Sequence, residues 1–145
     1  MAAFNIYLNF PGNTEEAFNF YKSVLGGEFV TIMRFKDSPG CEGMSADNQN
    51  MIMHIALPIG TNGNMLMGTD AVDGMGGPKL VIGNNMSITV NPTSEDEMNR
   101  LFNGLSAGGN VMVPLNKAFW GGTFGMFTDK FGIQWMFNYD EKRPQ

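Results

Sequence analysis

The chain repeats itself, and that repeat limits its possible folds more than any other feature. Residues 4–10 alternate, with Phe4, Ile6, Leu8 and Phe10 on one face and Asn5, Tyr7 and Asn9 on the other. A half-buried strand has this period of two. Pro11-Gly12-Asn13 breaks the strand, and Thr14 is placed as an N-cap with Glu15 and Glu16 at the positive helix end. Ala17, Phe18, Tyr21, Val24 and Leu25 then recur at helical spacing until Gly26-Gly27 stops the helix.

The same order returns in the second half. Asn85, Ser87 and Thr89 face one way and Met86, Ile88 and Val90 the other, and Pro92 breaks the strand. Ser94 with Glu97 forms a capping box, and Met98, Leu101, Phe102 and Leu105 make an apolar stripe ending at Gly108-Gly109. At a constant offset Asn5 matches Asn85, Phe10 Val90, Thr14 Ser94, Phe18 Met98, Tyr21 Leu101 and Leu25 Leu105. Gly63-Asn64-Met65-Leu66-Met67 likewise parallels Gly132-Ile133-Gln134-Trp135-Met136.

Further strands are read at residues 28–35, 51–59 and 64–69 in the first half, and at 111–115, 123–128 and 133–138 in the second. Residues 36–50 are polar and turn-rich, a loop or hairpin tip able to cover a pocket. Residues 70–83, broken by Gly74, Gly76, Gly77, Pro78 and Gly83, leave room for a short strand at most. The reading is an α+β domain over residues 1–145 built from two βαβββ modules, about 1–80 and 81–140, with a frayed polar tail at 141–145. Each module is too small to bury its sheet face alone.

Composition removes several classes of function. A net charge of -5 and a pI of about 4.7 argue against nucleic acid and anionic membrane surfaces, which need a basic footprint. No apolar run approaches the roughly 18 residues of a membrane span, and residues 1–10 do not resemble a signal peptide. The lone Cys41 cannot form an internal disulfide and has no basic neighbour in sequence to make it reactive, which suits a reducing cytoplasm. The 13 methionines fill an irregular core or line an adaptable apolar pocket.

With these elements in place, the chain resembles the vicinal oxygen chelate (glyoxalase, bleomycin-resistance and dioxygenase) superfamily, and within it the PhnB-like branch. The residues that carry the resemblance are Tyr7-Leu8-Asn9-Phe10, Glu16-Ala17-Phe18, Phe20-Tyr21, Met53-His54, Leu66-Met67-Gly68-Thr69-Asp70, Trp120-Gly121 and Asp129-Lys130-Phe131-Gly132-Ile133-Gln134-Trp135. The resemblance implies paired modules whose sheets curl around a concave cleft with helices outside, and a homodimer. It also implies metal-ligand positions on the first and last strand of each module. Carried over, these fall on Asn5 and Asn85, and on Met67 and Met136. Asparagine offers a neutral carbonyl oxygen and thioether sulfur prefers soft ions, so no divalent metal cofactor is expected there. Some PhnB-like sequences carry a demethylubiquinone methyltransferase label, but no part of this chain resembles an S-adenosylmethionine site.

Several residues can carry chemistry. His54 is the only residue of a type that titrates near neutrality, and so the acid/base candidate, with a packing role as the alternative. Asn5, Tyr7 and Asn9, with Ser87 and Thr89, form polar faces suited to orienting a small polar ligand; water-facing sheet is the alternative. Met67, Met136, Phe127 and Trp120 are read as an apolar pocket wall, with Met53 and Trp135 on the opposite strand faces. Asp129 reads as a turn residue; Asp70 reads as a turn residue or a ligand contact. Gly74-Met75-Gly76-Gly77 lacks the Lys-Ser/Thr and the strand-to-helix setting of a phosphate loop. The leading expectation is a metal-independent small-molecule binding protein. The alternatives are a lyase, isomerase or dioxygenase using His54, and a dimeric scaffold with a filled cleft.

Overall fold

The computed structural model describes residues 1–74 and 77–142. Met75 and Gly76 of the glycine run, and residues 143–145 of the polar tail, lie outside the described residues. The chain divides into two compact units, residues 1–81 and 82–145.

In the first unit, β1 (Ile6–Phe10), β2 (Thr31–Arg34), β3 (Ile52–Ile59) and β4 (Asn64–Asp70) form one sheet in the order β1-β4-β3-β2. β1 runs parallel to β4, while the other pairs are antiparallel. α1 (Thr14–Leu25) covers one sheet face through Ala17, Phe18 and Tyr21, which are fully buried against a face carrying Phe10, Ile55, Leu57 and Leu66. Phe18 meets Phe10 and Tyr21 edge-on, the ring arrangement that favours aromatic packing. A short 3-10 turn at Phe35–Asp37 and the helix α2 (Ala46–Asn50) occupy the segment expected to be loop or hairpin tip.

The second unit repeats the topology. β5 (Ile88–Val90), β6 (Asn110–Lys117), β7 (Thr123–Thr128) and β8 (Gln134–Tyr139) are ordered β5-β8-β7-β6, with β5 parallel to β8. α3 (Glu95–Ser106) buries Met98, Leu101, Phe102 and Leu105. Phe102 packs edge-on against both Phe127 and Phe137, at 5.0 and 5.4 Å between ring centres. The two βαβββ units are therefore present.

Local details correct the sequence reading. Thr14 is not the N-cap of α1 but its first residue, fully buried, and Asn13 in the cap position makes no side-chain capping bond. The cap comes from elsewhere: Asp70 Oδ1 accepts from Thr14 N at 3.0 Å and from Thr14 Oγ1 at 2.6 Å. Ser94 does cap α3, accepting from Glu97 N. β2 covers only the end of the strand expected at 28–35, and β5 only the end of the one expected at 85–90.

Candidate functional site

Each sheet has one face under its helix and one facing away, and strand register assigns residues to the second, open face. In the first unit Tyr7 lies beside Met67, Met67 beside Ala56, and Ala56 beside Thr31. The next row places Asn9 beside Thr69 and His54 beside Met33. In the second unit the corresponding row is Thr89, Met136, Met126 and Val113. Methionine therefore occupies the middle of both rows.

The register corrects the alignment of the repeat on its first strands. Tyr7 opposes Met67 and Thr89 opposes Met136, so Thr89, not Ser87, stands where Tyr7 stands. Ser87 precedes β5 and is exposed. Asn5 precedes β1, and its Oδ1 is committed to Met65 N at 2.9 Å, extending the pairing of β1 with β4. The position facing Met67 across the parallel strands is thus Tyr7, not Asn5. In each unit, a hydroxyl facing a thioether offers poor donors for a hard or borderline dication, which favours carboxylate and imidazole. Among the described residues, no group of three or more His, Cys, Asp or Glu is placed to hold a metal ion.

Tyr7 and His54 meet. The order β1-β4-β3 separates their backbones by roughly 10 Å, two strand spacings, so both side chains lean inward over β4. Their rings lie 5.7 Å apart at an interplanar angle of 26°, and Tyr7 Oη is 3.4 Å from His54 Nδ1. Tyr7 is 46% exposed and His54 half-buried, so the pair stays open to a ligand. Sequence reading had put both residues in the candidate set without pairing them. Met33 and Met126 went unnamed, since only register puts them beside His54 and Met136.

The apolar wall is divided. Met67 and Met136 are half-buried on their open faces, but Phe127 is fully buried under α3 with Phe102 and Phe137. Phe127 therefore belongs to the core of its unit rather than to Met136's face. Trp135 is buried as well, its Nε1 donating to Asp129 Oδ2 at 2.8 Å. Trp120 is 44% exposed in the β6–β7 connection, its ring folded over Gly122, where an added Cβ would overlap it. Asn9 is exposed on β1.

Asp129 is a turn residue, as its position suggested, with Oδ1 accepting from Phe131 N and Ile133 N. Asp70 is a tertiary clip rather than a turn residue, for its Oδ2 also accepts from Ile52 N at 2.8 Å. A pocket of about 250 Å³ lies beside the α1 N-terminus, lined by Gly12, Glu15, Asp47, Asn50, Met51, Ile52 and Asp70. Its acids are partly engaged: Asp70 as described, and Glu15 in an ion pair with Arg34 Nη1 at 2.6 Å. That contact, foremost its hydrogen bond, holds the Glu15 carboxyl below its ordinary range, against a smaller opposing effect of burial. Of the residues read from the sequence as possible ligand contacts, Asp70 alone lines this pocket, beside Asp47 and Asn50 from the segment expected to cover one.

Two βαβββ units with parallel first and last strands define a glyoxalase-type protein. The chain belongs to the Glyoxalase/Bleomycin resistance protein/Dioxygenase superfamily, whose model matches residues 4–137. Its relatives include protein YjdN of Escherichia coli (strain K12), 29% identical over 141 residues, which span 95% of each chain. Protein PA1353 from Pseudomonas aeruginosa has a solved structure that is 38% identical, with a TM-score of 0.82 over 97% of this chain and 98% of that one. A Bacillus cereus structure described as a putative 3-demethylubiquinone-9 3-methyltransferase, PhnB protein, is 27% identical, with a TM-score of 0.71 over 95% and 99% of the two chains. No described helix is long and apolar enough to cross a membrane.

Proposed function

We propose that this protein binds a small neutral molecule against its open sheet faces without a metal ion. The observation that carries this reading is the uncharged lining of each open face: Tyr7 opposite Met67 with His54 in the next row of the first unit, and Thr89 opposite Met136 in the second. Thioethers give a soft, adaptable apolar surface, and a few hydroxyl and imidazole groups orient what lies on it. In the same reading the protein acts in the cytoplasm as a homodimer.

The test is a thermal-shift screen on metal-stripped protein with neutral aromatic and carbonyl compounds. A ligand at about 100 times its Kd adds roughly 2.7 kcal/mol of stability and raises Tm by a few degrees. A hit that keeps its shift in the presence of chelator supports the proposal. Stoichiometric uptake of Ni, Zn, Mn or Fe that is abolished by His54→Ala would overturn it.

A second reading, an enzyme working through His54, is favoured by one observation: the phenol of Tyr7 stands next to the imidazole.

A further inference from the structure

From the Tyr7–His54 pair we propose a metal-free keto–enol tautomerase, in which phenol and imidazole pass protons in a closed relay. The inference rests on the binding reading, since the open face must first hold a neutral carbonyl compound.

The geometry supplies two proton-handling atoms close enough to serve one carbonyl group and its neighbouring carbon. They are Tyr7 Oη and His54 Nδ1, 3.4 Å apart. Contacts of this kind are often long without a substrate and shorten around it. The rows containing Tyr7 and His54 hold Met67, Ala56, Thr31, Asn9, Thr69 and Met33, none of them charged. An enolate formed there would find no cation and no fixed charge to stabilise it. Proton transfer on this surface therefore has to avoid net charge, and a bifunctional pair can do so.

The relay balances as follows. His54 begins with its proton on Nε2 and with Nδ1 free to accept, and the phenol proton points to the substrate carbonyl oxygen. Nδ1 takes the proton from the carbon next to the carbonyl. The C–H electron pair becomes the C=C bond, and the C=O π pair moves to oxygen, which receives the Tyr7 proton. Tyr7 Oη is reprotonated from Nδ1. The products are the neutral enol, neutral tyrosine and histidine carrying its proton on Nε2. Both side chains end as they began, and the reverse sequence converts enol to ketone, so no oxidant, metal or co-reactant is consumed.

The probe is acetylacetone, a neutral diketone whose enol and keto forms differ in ultraviolet absorption. Enol-rich probe diluted into buffer relaxes to its aqueous ratio, and the rate is read with and without protein. General acid–base groups contribute about 100-fold or more to such steps. The expected result is acceleration by the native chain that falls at least tenfold in both Tyr7→Phe and His54→Gln, with melting temperatures close to native. In parallel, imidazole ¹⁵N shifts should show the Nε2–H form of His54 declining in Tyr7→Phe, which removes the hydroxyl facing Nδ1. Equal rates for the native chain and both variants would overturn the relay. If acetylacetone still perturbs the His54 resonances, the relay alone fails; if it perturbs nothing, the open face as its binding surface fails too.

Discussion

A carboxylate only 4% exposed needs donors on both of its oxygens, and Asp70 has them. Thr14 N and Oγ1 supply Oδ1, and Ile52 N supplies Oδ2, so one side chain ties the start of α1, the start of β3 and the end of β4. Replacing it with alanine leaves two buried backbone donors and a hydroxyl without their acceptor. Asp70→Ala should therefore cost about 3 kcal/mol, read as a lower urea midpoint at unchanged slope. Asp70→Asn should cost less, because its amide oxygen can still accept from Thr14. A loss under about 1 kcal/mol for the alanine variant would mean that these bonds add little. This clip was hidden in the sequence because its partners lie 56 and 18 positions away. Asp129 was legible, since its turn partners are two and four residues along the chain. The same distinction explains the candidate site: Tyr7 and His54 were each visible as residue types, but their contact spans 47 positions and depends on strand order.

Elements whose signals are local appeared where the sequence put them. α3 starts just after Ser94, whose hydroxyl caps it by accepting from Glu97 N, and β7 spans the expected residues 123–128. β2 and α2 were harder to read, because the segment after β2 takes its shape from Arg34. Its Nη1 donates to Glu15 on α1 and to the Asn50 carbonyl at the end of α2, while its backbone N donates to Asp37. The pH dependence of this tie follows from Glu15, whose carboxyl lies below its ordinary range when folded. A lowered folded value stabilises the protein above the unfolded carboxylate range, and that stability is lost as pH falls through the folded value. With the Arg34 and Glu15 side chains 29% and 49% exposed, solvent screening holds the contribution below about 1 kcal/mol. Arg34→Met should thus lower Tm slightly at about pH 7, and the difference from the native chain should shrink in acid as Glu15 is protonated. Circular dichroism melts at neutral and acid pH check this; a difference undiminished in acid would show that the lost bond to the Asn50 carbonyl or lost alkyl packing, not the ion pair, sets the effect.

At the scale of the whole molecule, the duplication extends to a feature that composition alone could not assign. Gly68 on β4 and Gly125 on β7 both face the helix side of their sheets and are buried. An added Cβ at Gly68 would stand 2.7 Å from Phe18 Cε2, and one at Gly125 would stand 2.7 Å from Phe102 Cε2 and 2.9 Å from Leu115 Cδ2. Each glycine makes room for a helix phenylalanine in its own unit, although the two lie on different strands of the repeat. Neither has a positive φ, so the cost of a side chain there is steric rather than conformational. Gly68→Ala and Gly125→Ala should each destabilise by about 1–3 kcal/mol, the usual penalty for an overfilled core. Shortening the facing ring tests the cause. Phe18→Leu should recover part of the loss in Gly68→Ala, and Phe102→Leu part of the loss in Gly125→Ala. The crossed pairs, Gly68→Ala with Phe102→Leu and Gly125→Ala with Phe18→Leu, join residues of different units and should show simple addition. Denaturant titration of the four double variants against their parents decides the matter: coupling of the same size in matched and crossed pairs would remove the steric argument from both units at once.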